Sequence, residues 1–396
     1  MIAFQRGSMA EHPAVNRAVG GSSPSAGAKK APNGAFFFLW QILSYNLVMN
    51  IIPIFLPYAG CKTRCVFCNE IEATGQEKLY NSEEIKEVVL KCRGYFNDKK
   101  DVTLAFYGGS FLNLPEESLI KYCRTVKYLV REDLISSVRF STTPDSISRE
   151  KIGLIKEIPV SLIELGVQSL YEDVLEKSNR PHNVKDVYEA VKILRENQID
   201  YGIHLMTGLP GDTKEKSTVS AMKIAELRPK SCRIHPTLVL KNTVLENLYE
   251  DGSYTPQTME EAIETVMYMY VILVSHGVKV NRMGLCLYGN QIKNVVAGPF
   301  HESFGELVKS RLSIEIVRSL VDRLDSRELV LNVDEKEKQF FIGYKRWVKK
   351  WLNNEGITID YSLKGCSIDI METIKTLFDD IKRGKRFSFP GVNYEA

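Results

Sequence analysis

From position 50 onward the chain alternates between two patterns. Short runs rich in β-branched and aromatic residues occupy 51–56, 102–107, 137–141, 161–167, 201–206 and 231–238 and read as strands. Between them, 82–96, 115–130, 146–155, 184–197 and 214–227 space their apolar residues three and four apart, the period of a helix with one buried face. Asn81-Ser82-Glu83-Glu84 and Leu114-Pro115-Glu116-Glu117 carry helix-start chemistry. Consecutive strands joined by crossover helices lie parallel, so six such units predict one parallel sheet. Six is two short of a closed barrel. The expected fold is α/β, a partial (β/α)6 TIM-type barrel with ligands at the C-terminal strand ends.

Beyond Tyr254 the alternation changes. A helix is expected over 258–276, where Ala262, Ile263, Val266, Met267, Tyr270 and Val271 follow a helical period, and another over 306–324. After Arg327 the pattern suits a small α+β addition. The expected division is a leader over 1–48, the barrel over 49–276, and a helical and α+β C-terminal extension over 277–396 that closes the barrel mouth.

Composition narrows the class. With 44% hydrophobic and 26% charged residues this is a globular chain, not a disordered, collagen-like or coiled-coil one. The net charge of +3 invites a nucleic-acid partner, yet Arg6, Arg17, Lys29 and Lys30 against Glu11 put the whole surplus in the leader. Bulk charge therefore says nothing about partners of the body. Positions 7–34, rich in Gly, Ser, Ala and Pro, read as disorder. The apolar stretch from Phe36 to about Leu56 is interrupted by Gln41, Ser44, Asn46, Asn50 and Pro53. It suits a buried strand better than a membrane helix, and it starts too far from residue 1 for a signal peptide. A cytoplasmic protein with no membrane partner is expected.

Eight cysteines are too few for a disulfide scaffold. Cys61, Cys65 and Cys68, however, form a C-x3-C-x2-C string directly after the first strand. Structural zinc usually takes four ligands in two close pairs, and a disulfide does not suit a chain without extracellular signals. A 4Fe–4S cluster held by three thiolates leaves one iron open for a substrate to coordinate. Cys92 and Cys123 fall in amphipathic stretches, Cys232, Cys286 and Cys366 are isolated, and buried bystander thiols are the expectation for all five.

A C-x3-C-x2-C string after a first barrel strand resembles the radical S-adenosylmethionine superfamily. The resemblance implies that Cys61, Cys65 and Cys68 hold a 4Fe–4S cluster and that S-adenosyl-L-methionine binds its open iron. It further implies that an electron from a flavodoxin- or ferredoxin-type reductant cleaves the cofactor to a 5′-deoxyadenosyl radical that takes hydrogen from a substrate. Gly108-Gly109-Ser110, at the end of the second strand, matches the superfamily's Gly-Gly motif, which contacts the methionine moiety. Glu164-Leu165-Gly166-Val167-Gln168-Ser169 with Arg180 twelve residues after Gln168 resembles the branch of the Elongator catalytic subunit and oxygen-independent coproporphyrinogen oxidase. It implies that Gln168 and Arg180 approach the cofactor's ribose and carboxylate, with Glu164 and Ser110 as further candidates. His204-Leu205-Met206-Thr207-Gly208-Leu209-Pro210 and Arg233-Ile234-His235-Pro236-Thr237 extend the likeness to the Elongator subunit over roughly 51–275.

The chain departs from that family in three ways. Its first two cysteines stand closer together. Ser141 occupies the place of a ribose-binding Glu three residues before Pro144. No Gly-rich coenzyme A loop is visible in 311–396, so acetyl transfer is not carried over. The expected function is reductive cleavage of S-adenosylmethionine for radical chemistry, with a tRNA base as one substrate and a porphyrinogen-like metabolite as another. An iron–sulfur electron carrier or sensor is the non-enzymatic alternative, though a carrier would ordinarily use four protein ligands. A zinc-binding tRNA module is a third reading.

Two basic clusters, Lys345-Arg346-Trp347-Val348-Lys349-Lys350-Trp351 and Lys382-Arg383-Gly384-Lys385-Arg386, read as solvated faces, the first with its tryptophans turned inward. His301 is expected to cap a helix. Finally, Lys29 to Phe38 back-translates to an A-rich run, a short inverted repeat and a T-run, the shape of a transcription terminator. The leader is accordingly expected to be translated intergenic DNA rather than a disordered native leader or an anchor. Intact-mass analysis of the protein from its native source should then give a chain starting at Met49.

Overall fold

The computed structural model describes residues 50–74, 78–96, 101–287, 289–331, 335–361 and 370–383. The expected leader, Cys366 and Gly384-Lys385-Arg386 lie outside the described residues. Strands β1 (Asn50–Phe55), β2 (Val102–Tyr107), β3 (Ser137–Thr142), β4 (Val160–Gln168), β5 (Tyr201–Thr207) and β6 (Ser231–Pro236) pair in parallel in chain order. After a two-residue β7 (Val239–Leu240), a seventh parallel strand, β8 (Lys279–Met283), joins β6. Together they form a curled, open half-barrel, the partial barrel expected, with one strand more. Lys-Val-Asn-Arg-Met hid that strand because an edge strand of an open sheet buries little of itself. Only Met283 in it is fully buried.

Strand alternation divides the sheet into two chemically opposite faces. Val138, Phe140, Ile163, Leu165, Ile203, Leu205, Cys232 and Ile234 lie on the outer face, each at most 1% exposed, in the main core. Their neighbours Arg139, Glu164, His204 and Arg233 therefore point into the concave side. The outer face is covered by crossover helices. After a short α1 (Glu70–Thr74) come α2 (Ser82–Arg93), α3 (Glu116–Arg131), α4 (Arg149–Ile155), α5 (Glu172–Lys177), α6 (Val184–Glu196) and α7 (Lys214–Glu226). The start expected at 81–84 is a capping box: Asn81 accepts from the Glu84 N–H, and the Glu84 carboxylate accepts from Asn81 N–H.

Two further helices, α8 (Val244–Glu250) and α9 (Met259–Ser275), follow β7. A Thr258–Glu261 capping box starts α9, and its residues are buried on every side from Thr265 to Val274. One face meets α7, and the other faces meet α10 (Phe304–Leu324) and, further along, α13 (Ile370–Lys382). A short β9 (Val295–Ala297) pairs antiparallel with β7. Between α10 and α13 lie β10 (Glu328–Leu331), α11 (Glu335–Ile342), α12 (Trp347–Glu355) and β11 (Thr358–Tyr361), with β10 and β11 paired in parallel. The α+β addition thus covers α9, where apolar surface would otherwise face water. It is the segment before α10 that reaches the barrel mouth: Leu285, Leu287, Ile292 and Phe300 pack with Leu238 and Leu240.

The first basic cluster is a solvated face, as expected, whereas no side chain caps the start of α10. Trp351 is buried beneath the Arg318 guanidinium, Trp347 packs against the core, and Lys345, Arg346, Lys349 and Lys350 are exposed. His301 Nδ1 accepts from the Ser303 N–H at 2.9 Å, immediately before α10. Among the described residues no helix is long and apolar enough to cross a membrane. Because Leu273 is fully buried in α9, Leu273→Ala is expected to cost roughly 2–5 kcal/mol, read from denaturant unfolding. A loss below about 1 kcal/mol would mean that Leu273 is not enclosed in the core in solution.

Candidate active site

The loop from Leu56 to Asn69 carries all three candidate cysteines and lies across the C-terminal ends of several strands. It is held mainly by backbone. Leu56 N–H donates to Tyr107 O, Tyr58 N–H to Gly108 O at 2.7 Å, and Ser110 N–H to Ala59 O at 2.8 Å, joining it to the loop after β2. Val66 N–H donates to Ser178 O, and Leu245 N–H to Val66 O at 2.8 Å, tying it to the loops after β4 and β6. Side chains complete the docking. Asn69, 8% exposed, donates to Lys241 O at 2.8 Å and accepts from Tyr58 Oη at 3.0 Å. Asn179 donates to Arg64 O, Thr63 Oγ1 donates to Asn179 O, and Lys62 pairs with Asp145 at 2.7 Å.

Two glycines make this approach feasible. A Cβ on Gly109 would stand 2.3 Å from Ala59 O, and one on Gly60 2.2 Å from Ser110 O. Gly60 also takes φ of +72°, where a side chain is strained. Gly109, expected to make room for a ligand, is thus also required for the loop to dock. Gly108, at φ +87°, turns the chain beside the Glu70 carboxylate.

Arg180 and Gln168 meet at the end of β4. Gln168 sits at a break in the β4–β5 register with φ of +67°, an uncommon conformation for a non-glycine residue that re-aims its side chain. Arg180 Nη1 donates to Cys65 Sγ at 3.0 Å and Nη2 to Gly166 O. Cys65, Gly166, Gln168 and Arg180 therefore share one corner. Ser110 does not join them. It is 1% exposed, and its hydroxyl is spent on Thr142 Oγ1 and Thr143 Oγ1, both at 3.0 Å, and on the Thr143 N–H. It fastens the β2 loop to β3.

Glu164 lies two residues below that corner on the concave face, 1% exposed. Its Oε1 meets Arg139 and Arg233 at 3.0 Å and His204 at 3.2 Å. Burial alone would raise the Glu164 pKa, but the His204 hydrogen bond and the two guanidinium charges hold it far below the usual carboxylate range. Sequence reasoning missed Asn69, Lys62 and His182, which carry no motif. His182 is 4% exposed, with Nε2 on Val167 O at 3.1 Å, and burial drives its pKa down to about 3.

Residues 55–220 match the Radical SAM superfamily, and 229–313 match the Radical SAM C-terminal domain. The chain belongs to the radical SAM superfamily, and so to a superfamily of enzymes. A tRNA uridine(34) acetyltransferase of Dehalococcoides mccartyi is 29% identical over half of this chain and half of its own length. Elongator complex protein 3 of Homo sapiens is 28% identical over 45% of this chain and 36% of its own, and the heme chaperone HemW of Bacillus subtilis is 26% identical over 58% and 61%. The chain thus spans about half the length of the D. mccartyi relative. The fold is that of the archaeal Elp3 of Methanocaldococcus infernus, with TM-score 0.55, 20% identity, and 67% of this chain and 62% of that one covered.

The cysteines of this radical SAM chain suit an iron–sulfur cluster. All three are free thiols. Among the described residues no three His, Cys, Asp or Glu side chains are gathered as for a single metal ion. A cube binds each thiolate to a different iron, so its ligands need not converge on one point. Burial, then the charges of Cys65 and Glu70, push the Cys61 thiol up to about 11, and burial raises Cys68 well above its ordinary value. Both thiols therefore stay protonated near neutral pH unless an added positive charge, such as that of a bound metal, favours the thiolate.

Two stability predictions follow from these burials. Glu164→Gln leaves Arg139, 4% exposed, without its counter-charge and is expected to cost roughly 3–5 kcal/mol in chemical denaturation. His182 remains neutral in the folded protein down to about pH 3, whereas the unfolded ring takes a proton near pH 6.5. The unfolded state thus binds more protons as pH falls between those values, and stability is full above about 6.5 and declines below it. Thermal melts from pH 7.5 to 5 should show that decline reduced in His182→Asn; an unchanged slope would assign it elsewhere.

Proposed function

We propose that this chain is a radical SAM enzyme that binds a 4Fe–4S cluster through Cys61, Cys65 and Cys68, cleaves S-adenosylmethionine reductively and acts on a base in tRNA. The observation that carries this reading is the corner where Arg180 joins Cys65 to the end of β4 beside Gln168. When bound, the cluster supplies the electron that splits the sulfonium into methionine and a 5′-deoxyadenosyl radical.

The chain's own residues prepare that site. Arg180 offers a planar guanidinium suited to the cofactor's carboxylate, and Gln168, turned inward by its positive φ, offers an amide to the ribose. Gly108 and Gly109 let the end of β2 turn against the cysteine loop, so that backbone faces the methionine moiety. Ser141, next to Glu164 in the β3–β4 register, brings a neutral hydroxyl where related chains carry a Glu. Val66, Val239, Leu245 and Tyr254 close an apolar layer beneath the cysteine loop and shield the site from water on that side. The reductant is of flavodoxin or ferredoxin type, and the setting is the cytoplasm.

The tRNA assignment is supported by the relatives named tRNA uridine(34) acetyltransferase. The likeness to the heme chaperone HemW favours a second reading, in which the radical meets a porphyrinogen-like metabolite. Anaerobic reconstitution with iron and sulfide, reduction with dithionite and assay for 5′-deoxyadenosine should give product, and Cys65→Ala should reduce it to background. A protein with its full iron and sulfide content that forms no 5′-deoxyadenosine, with or without bulk tRNA, is a carrier or sensor instead.

A further inference from the structure

Arg233 and Arg282 stand side by side in the β6–β8 register, and the next pair, Ile234 and Met283, lies in the buried outer core. Both arginines therefore face the concave side. Adjacent like charges on neighbouring strands repel. Among the described residues only Glu164 forms an ion pair with either of them, and its Oε1 is already shared with Arg139 and His204. Three arginines thus face one glutamate. Burial lowers the pKa of both His204 and His235, so neither ring adds an offsetting or a further charge near neutral pH.

Among the described residues, four buried polar atoms on this face lack a hydrogen bond, two of them Arg139 Nε and Nη2. Glu164 Oε2, on a residue 1% exposed, has no partner, and neither has His235 Nδ1. The excess charge is within reach of a ligand: the Arg233 side chain is 25% exposed, and Arg282 is exposed at the open edge of the half-barrel. Glu164 and Gly166 share a face two residues apart, and Gly166 O is held by Arg180. The arginines' counter-charge therefore lies about 7 Å along β4 from the Arg180 corner.

We propose that the concave face binds the anionic end, carboxylate or phosphate, of the molecule from which hydrogen is taken, with Arg233 and Arg282 gripping the anion and Glu164 Oε2 accepting from a neighbouring hydroxyl. The proposal rests on the radical reading above for the identity of that molecule, but its test does not depend on turnover. The Arg139–Glu164 pair explains a buried structural anchor; it does not explain a second and third arginine beside it. Paired guanidinium groups suit either anion. The same chemistry arises from a nucleotide in RNA or from a small organic acid.

Isothermal titration of the whole chain at fixed ionic strength, without S-adenosylmethionine, tests it with three probes: uridine 5′-monophosphate, uridine and acetate. At least one of the two anions is expected to bind at a single site. Arg282→Gln should weaken that binding about tenfold, Arg282→Lys less, and Arg323→Gln, on the exposed side of α10, not at all. Binding of the nucleotide without uridine identifies a nucleotide phosphate as the source, and binding of acetate alone a small acid. Silence from both anions, or an affinity unaltered in Arg282→Gln, overturns the proposal. Either result stands whether or not the cofactor is later found to be cleaved.

Discussion

The close approach of two backbones, the cysteine loop and the turn after β2, is the contact on which the site depends. Gly60 and Gly109 leave no room for a Cβ between them, and the Tyr58–Gly108 and Ser110–Ala59 hydrogen bonds lie within the same contact. A hydrogen bond buried in such a contact resists water because neither partner has another to turn to. Once the loop is seated there, Lys241 O, Asn179 and Asp145 hold it from the segments that follow three other strands. The cysteines are thus positioned by main chain and by amides rather than by their own packing.

The second organising feature is the difference between the two faces of one sheet. Every strand from β3 to β6 alternates, so the same residues that place Ile163 and Leu165 in the core place Glu164 on the other side. A closed barrel would have to fill its interior with apolar layers. An open half-barrel admits water and charge along one side, and this one uses that freedom for arginines and histidines. The cost of burying Glu164 is met by the His204 hydrogen bond and two guanidinium charges gathered on one oxygen, which leaves the other oxygen idle. Such an arrangement is rigid, since loss of any one partner strands the remaining charges.

The C-terminal extension solves a different problem. A helix buried on every side from Thr265 to Val274, such as α9, cannot end an open sheet against water. It is enclosed by α7 on one side and by α10 and α13 on the others. The extension also contributes β8, which carries Arg282, so the outer scaffold and the concave face are built from the same continuation of the chain.

Much was legible in the sequence because its signals are local. The period of apolar residues, the capping box at Asn81, and the C-x3-C-x2-C spacing each reside in a few consecutive positions, and the strands, helices and cysteine loop stand where those signals placed them. β8 was not legible, since a strand that buries one face of an edge leaves almost no alternation to read. Nor was the employment of Ser110 and Glu164. Both sit in recognisable motifs, yet Ser110 is consumed by Thr142 and Thr143, and Glu164 by groups from β3, β5 and β6. Asn69, Lys62 and His182 carried no motif, and the contacts that tie them to other strand ends, with Lys241, Asp145 and Val167, lie 172, 83 and 15 positions away. The sequence by itself determined which elements form and which residue types reach the strand ends. Only the tertiary structure decided which of those groups are spent on one another and which remain free to meet a ligand, because hydrogen bonds and ion pairs are settled by distances across strands that no spacing along the chain encodes.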